Sequence, residues 1–328
     1  METFSAADAA ELATVDRSGF VESRHLGSLV VLGADGEVAL SLGNPSAPIY
    51  PRSALKPFQA TAVIASGVNY SDEYAAIVAA SHTGTPQHVG LVLTVLQSAG
   101  LTADALRCPA DWPSDPKAQD ELIALGEGRS PIYMNCSGKH AGMLAACVAN
   151  GWPLDTYLDP AHPMQLKILE VIERFTGEKV AWSGVDGCGA PVHAVSIIGL
   201  ARGIRALNTA KADSPFALYR AAATVTSGMR RFGWVIDGPG QPDSAIIDRL
   251  GILVKLGAEG VMVMSTSDGT TVALKVLDGN LRAANIVALH ALNRVGAIPL
   301  ADVNLVINDL KLDIFGGGRV VGSIQPSF

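Results

Sequence analysis

Apolar runs separated by turn signals organise the chain from its first third. Residues 28–43 read SLVVLGADGEVALSLG, two apolar runs around Ala34-Asp35-Gly36, and this pattern predicts a β-hairpin. Helical periodicity follows over 53–66, 73–80 and 88–99, where Leu91, Leu93, Val95 and Leu96 occupy mixed faces of a buried helix. The loop CPADWPSDP at 108–116 interrupts it, and helical pattern returns over 117–125, 139–150, 163–175 and 215–228. The last third is richer in strands. Runs at 260–264 and 270–277 lead to the turn Asp278-Gly279-Asn280, then a helix over 283–295 and strands near 303–308 and 319–325. The pattern contains no internal repeat. It predicts an α/β (α+β) fold in one unit spanning 1–328. Both termini (about 1–55 and 255–328) form a sheet domain, and a mainly helical middle portion is inserted between them.

Composition narrows the class. The 328 residues are 48% hydrophobic and 17% charged, which suits a compact enzyme and argues against disorder. Net charge is −7 with no Lys/Arg-rich block, so nucleic acid is not an expected partner. The opening METFSAADAAELATVDRSG carries Glu2, Asp8 and Glu11 where a signal peptide has a basic start and an apolar run. No stretch of about 18 apolar residues is present, so no membrane contact is expected and the chain is placed in the cytoplasm. Its cysteines, Cys108, Cys136, Cys147 and Cys188, are then expected to be reduced.

The most informative short segment is Pro51-Arg52-Ser53-Ala54-Leu55-Lys56-Pro57-Phe58. A serine hydroxyl attacks only once something takes its proton. In Ser-x-x-Lys at a helix start the two side chains share a face, and Pro57 keeps Ser53 close to that start. A lysine acting as base must be uncharged, which costs roughly 4–5 kcal/mol at pH 7 from a reference pKa of ~10.4. Burial and neighbouring cations can remove that cost, so the pair needs an enclosed site. Taken alone, the motif is more often an N-cap followed by a solvated lysine.

Three polar islands interrupt apolar sequence: Ala80-Ser81-His82-Thr83-Gly84-Thr85-Pro86, Asn135-Cys136-Ser137-Gly138-Lys139-His140-Ala141-Gly142, and Asp186-Gly187-Cys188-Gly189-Ala190-Pro191. Small residues let backbone amides approach a ligand. Cys108 and Cys147 read as small buried hydrophobes, and His88 as structural. Gly138-Lys139 is not a Walker A loop, since Tyr133 and His140 stand at required Gly and Ser/Thr positions. The glycines at 184, 187 and 189 fail the dinucleotide spacing. No nucleotide cofactor is expected.

Together, PRSALKPFQA, ASHTGTPQH, NCSGKHAGML, DGCGAP and TVALKVLDG resemble the rhizobial-type (class 3) L-asparaginases, the asparaginase II family, from VESRHLGSLVV to the terminal VVGSIQPSF. The resemblance implies a fold like that of serine β-lactamases and penicillin-binding proteins, a homodimer, and hydrolysis of L-asparagine to L-aspartate and ammonia. It implies one Ser–Lys pair at Ser53 and Lys56 and a second at Ser81 and Lys275. It implies zinc held by Cys136, Lys139 and Cys188 and aiding substrate binding, with Asp186, Arg52 and His140 lining the substrate pocket. The segment TSGMRRFGWVIDGPG at 226–240 departs from the family's glycine–arginine pattern, which puts substrate range and dimer contacts in doubt.

On this reading Ser53 attacks the amide, Lys56 takes its proton, and Ser81 with Lys275 completes a relay; the reverse assignment of the serines stays open. Asp186 would meet the substrate's α-ammonium and Arg52 its α-carboxylate. A β-lactamase is disfavoured because Ser-Asp-Asn, Lys-Thr-Gly and a secretory signal are all missing. An amidase acting on glutamine or another β-amide, and a non-catalytic zinc-binding protein, are the remaining alternatives.

Overall fold

The computed structural model describes residues 2–328. Its strands are β1 (Ala10–Arg17), β2 (Phe20–Leu32), β3 (Val38–Leu42), β4 (Pro48–Ile49), β5 (Trp182–Val185), β6 (Pro191–Ser196), β7 (Leu253–Gly257), β8 (Val261–Ser265), β9 (Thr271–Val276), β10 (Asp313–Gly316) and β11 (Arg319–Pro326). The helices are α1 (Lys56–Ala65), α2 (Asp72–Ala79), α3 (Pro86–Ser98), α4 (Pro116–Ala124), α5 (Ser137–Asn150), α6 (Pro163–Thr176), α7 (Ile197–Asn208), α8 (Ala217–Arg231), α9 (Gly233–Ile236), α10 (Pro242–Leu250), α11 (Ala284–Arg294) and α12 (Leu300–Val306).

An eight-stranded antiparallel sheet follows the path β10-β11-β1-β2-β9-β8-β7, with β3 added on β2, and is flanked by helices; this is an α/β fold. The 13-residue β2 serves three neighbours. Its first half pairs with β1, its second half with β9 and β3. α7 and α11 pack on the sheet, and β4-β6-β5 form a second small sheet. α1 runs through the helical portion against α2, α5, α6 and α8. It is buried continuously from Lys56 to Val63, so it has no polar stripe and is an inner helix of that portion. Among the described residues no helix is long and apolar enough to cross a membrane.

The segment near 303–308 is helical, not a strand. Its β-branched residues suggest a strand, but Val303, Val306 and Leu310 are buried while Leu305 and Ile307 are exposed, which is a helical repeat. α7 lay in plain pattern: Ile197, Leu200, Ala201, Ile204 and Leu207 form one buried stripe, and the Ser196 hydroxyl accepts from the Gly199 N–H as N-cap. β1 escaped the hydrophobic pattern because Glu11, Asp16 and Arg17 dilute it.

For function, the decisive feature is β7. It ends the sheet on one side, and its last residues pack on the 3₁₀ turn Arg52–Leu55 that precedes α1. A Cβ on Gly257 would lie 2.1 Å from the Pro51 carbonyl oxygen, so only glycine lets strand and turn approach this closely.

Candidate active site

Four stretches converge where β7 meets the helices. The 3₁₀ turn brings Arg52 and Ser53, and α1 begins with Lys56. In 3₁₀ geometry side chains three apart eclipse, so Ser53 and Lys56 lie on one side. The loop after α2 brings Ser81. The N-terminus of α5 brings Cys136, Lys139 and His140, and the β5–β6 turn brings Asp186 and Cys188.

Lys56 is buried, and its Nζ donates to the Ala80 carbonyl (2.5 Å), Ser81 Oγ (3.0 Å) and the Asn135 carbonyl (3.4 Å). The amine is thus turned toward Ser81, while half-buried Ser53 contributes only its carbonyl, which accepts the Lys56 N–H. Ser81 Oγ has a second lysine at 2.8 Å, and it is Lys255, not Lys275. The expected Ser81–Lys275 pair does not form. Lys275 shares a sheet face with Lys255, but on β9, two strands further in, and its Nζ donates to the carbonyls of Glu259 and Val276. It lines a cavity of ≈ 330 Å³ together with Tyr50, Trp182, Glu259 and the site residue Arg52.

Lys255 carries a signal in the sequence itself. A lysine inside ILVKLG is flanked by apolar residues on both sides, yet it is fully buried. Burial, then the neighbouring Lys56 charge, pushes its pKa down to about 8. An uncharged amine at pH 7 then costs far less than the roughly 5 kcal/mol of an ordinary lysine, which makes it a workable base. Lys56 is likewise pushed down, by burial, although the Cys136 sulfur works against this.

The loop holding Ser81 is fixed on all sides. Ser81 N–H donates to Ile236 O (2.8 Å), and Asp115 N–H donates to Thr83 O (3.0 Å). The Gly84 N–H donates to His82 Nδ1 (3.2 Å), so the ring proton sits on Nε2, which donates to Ser137 Oγ (2.9 Å); that hydroxyl donates to Ile132 O. Burial keeps the imidazole neutral, pushing His82 well below the usual range.

Cys136, Lys139 and Cys188 come together, with Lys139 Nζ 3.0 Å from Cys188 Sγ. The hydrogen bond from the Cys188 thiol lowers Cys136 well below the ordinary thiol range, and the positive end of α5 favours the same thiolate. That bond in turn raises Cys188. Burial opposes charge on Lys139, but the two sulfurs outweigh it and push the amine up. Two soft sulfurs and an amine with no fourth protein donor suit an open tetrahedral zinc site, so the residues fit the metal that the resemblance implies. Among the described residues no group of three His, Cys, Asp or Glu offers another one.

Arg52 Nε and Asp186 Oδ1 form a part-buried ion pair at 2.7 Å. Burial raises the Asp186 carboxyl, but Lys139, Arg52 and the Gly187 N–H outweigh it and hold the group below its ordinary value. His140 is buried; its Nδ1 meets the Tyr157 hydroxyl at 2.7 Å, and its Nε2 has no partner among the described residues. A buried polar atom left open beside reactive groups is what a ligand-binding position requires.

The fold has distant likenesses among solved structures. A β-lactamase from Mycobacterium bovis is 13% identical, with a TM-score of 0.45 over 82% of this chain and 94% of that one. Mglu in its glutamate form is 14% identical, with a TM-score of 0.47 over 83% of this chain and 62% of that one. No curated protein sequence matches. The family model described as L-asparaginase II matches residues 13–326, which takes in every residue of the site, and the chain therefore belongs to this family of asparaginase-type amidohydrolases.

Proposed function

We propose that the chain hydrolyses the side-chain amide of L-asparagine to L-aspartate and ammonia by Ser–Lys catalysis. The observation that carries this reading is the buried Ser81 hydroxyl held between the amines of Lys56 (3.0 Å) and Lys255 (2.8 Å). Ser53 attacks the amide carbon and its proton passes to Lys56, whose amine, on Ser81 at rest, turns to the neighbouring Ser53 hydroxyl to take it. Ser81, touching both lysines, relays a proton between them, so that Lys255 takes the part first given to Lys275. The amide nitrogen leaves as ammonia once protonated, and water then cleaves the acyl-serine ester. The opposite charges of Arg52 and Asp186 complement an α-amino acid: the ion pair opens to take the carboxylate on Arg52 and the ammonium on Asp186. His140 Nε2 offers a further hydrogen bond to bound substrate.

Cys136, Lys139 and Cys188 would hold zinc, which when bound supplies a Lewis-acidic anchor for a polar group of the substrate. The reaction above is carried by the chain's own serines and lysines.

A second reading makes Ser81 the nucleophile, favoured by its two lysine contacts. Quenched reactions with asparagine separate the two when the acylated peptide is identified by mass spectrometry. The aspartyl adduct is expected on Ser53, and Ser53→Ala should lose both adduct and ammonia release. An adduct on Ser81 installs the second reading. Ammonia release unaltered in both Ser53→Ala and Ser81→Ala would remove Ser–Lys catalysis altogether.

A further inference from the structure

Ser81 and Lys255 are 174 residues apart, and one short segment, Ile236 to Ser244, grips both. At its start the Ile236 carbonyl accepts the Ser81 N–H at 2.8 Å. Gly238 follows, at φ +150°, so close to the same loop that a Cβ would stand 2.3 Å from Thr83 Oγ1. The turn is locked by Ser244 Oγ, which accepts the Gly238 N–H (3.0 Å) and donates to Gly233 O (2.8 Å). At its end Asp243 reaches β7, where Oδ2 accepts the Leu256 N–H at 2.9 Å. The other outward group of Leu256, its carbonyl, accepts from Lys255 Nζ at 3.1 Å. One residue of the edge strand is therefore held by Asp243 on its N–H and by Lys255 on its C=O.

We propose that Asp243 is a positioning residue, which fixes the Lys255–Leu256 stretch of β7 so that Lys255 Nζ reaches Ser81 Oγ. The inference rests on the reading of Lys255 as a proton acceptor and deepens it. Asp243 is fully buried, and an acid placed there only to hold a strand edge is an expensive choice, since a buried carboxylate needs compensation that an amide does not. Its Oδ1 has no hydrogen-bond partner among the described residues. Asn285, whose own Oδ1 is also unpartnered, lies against it. The charged groups facing Lys255 are Lys56 and Cys136 from the helical side and Asp243 and Asp237 from the gripping segment. Burial pushes the Asp243 carboxyl up, while Lys255 and the Leu256 N–H pull it back down; as anions the two acids favour the ammonium, and Lys56 disfavours it. The segment at 226–240 that departs from the family pattern thus runs into the part that sets the geometry of the Ser81–Lys255 contact.

The test is Asp243→Asn, which keeps size but puts a weaker, neutral acceptor on the Leu256 N–H in place of the charge-assisted one, and so loosens the grip on β7 as it removes the charge. In the full chain kcat on asparagine is expected to fall about tenfold or more with KM nearly unchanged, as a misplaced base predicts. The acidic limb of the pH profile should move to lower pH, because an amine relieved of a nearby anion releases its proton sooner. A merely structural role would leave that limb in place. A folded variant with both kcat and limb unchanged overturns the proposal. A second readout needs no activity: in ¹³C-lysine-labelled protein the Lys255 resonance, assigned by its loss in Lys255→Met, should titrate at lower pH in Asp243→Asn. An unmoved midpoint overturns the proposal, while failure of the unmodified chain to hydrolyse asparagine counts against the asparaginase reading alone. Should Asp243→Asn not fold, amide exchange in the unmodified chain decides. The Leu256 N–H should be as protected as amides of inner β8, and exchange as fast as at an open sheet edge overturns the assignment.

Discussion

At the residue scale, chemistry depends on which lysine is dry. Lys255 and Lys275 both interrupt apolar runs, ILVKLG and TVALKV, and share a sheet face, so local pattern cannot rank them. Depth and neighbours do: Lys255 is fully buried on Ser81, whereas Lys275 caps two carbonyls beside an open cavity. Lys255→Ala is accordingly expected to lower kcat on asparagine by about 10² or more, and Lys275→Ala to leave it within about threefold. Equal losses in both would reject the ranking. The sign of the pH effect follows from the base form of Lys255, which predominates above about pH 8, so kcat/KM should rise as pH climbs toward 8. Stability carries the same signature. The amine titrates near 8 folded and near its ordinary 10.5 unfolded, so the unfolded chain binds more protons between those values. Stability should therefore rise with pH through that window, by about 3 kcal/mol in all from this group, and Lys255→Met should flatten the rise in urea titrations.

At the scale of elements, the site depends on close approach of strand and turn. Gly257 lies against Pro51 with no room for a methyl group, and that contact sets β7, with Lys255, beside the turn carrying Ser53. Gly257→Ala should force them apart, destabilising the protein by about 1–3 kcal/mol and lowering kcat by about 10², more than the folding loss explains at temperatures where the variant stays folded. Thermal melts paired with kinetics check this, and full activity would show the contact to be slack. The metal prediction belongs to the same scale, because Cys136 and Lys139 stand at the start of α5 and Cys188 in the β5–β6 turn. An ion joining them ties two elements, so added zinc should raise the Tm of metal-stripped protein and should do little for Cys136→Ser. A Tm indifferent to zinc would remove the metal from this site. Much of this scale was legible: the polar islands lie in the loops and helix starts of the site, since Gly-rich breaks in apolar sequence mark element ends. What local pattern could not convey was the partner of Ser81, because antiparallel register, not spacing along the chain, puts β7 at the sheet edge.

At the scale of the molecule, strands from 10–42, 253–276 and 313–326 form one sheet, with the 3₁₀ turn Arg52–Leu55, α8 and α10 packed against its β7 edge. Strand-rich ends and helical middle are visible as composition along the chain. The order of strands is not, because β2 reaches β9 across 240 residues without any local mark of it; Val31 pairs with Val272. The groups of the candidate site straddle the junction, with Lys56, Ser81, Cys136 and Lys139 on the helical side and Lys255 on the sheet. Any motion that parts the two sides separates Ser81 from Lys255 before either side loses its own core. Sheet and helices, however, share a single continuous hydrophobic core, in which Leu55 and Phe58 of the helical side belong with Val254 and Met262 of the sheet. A continuous core melts as a unit. In urea, activity and far-ultraviolet circular dichroism should therefore decline with the same midpoint. Activity lost at clearly lower urea than helix content would show that the junction opens by itself, and that the lysine–serine contacts rest on the gripping loops more than on the shared core.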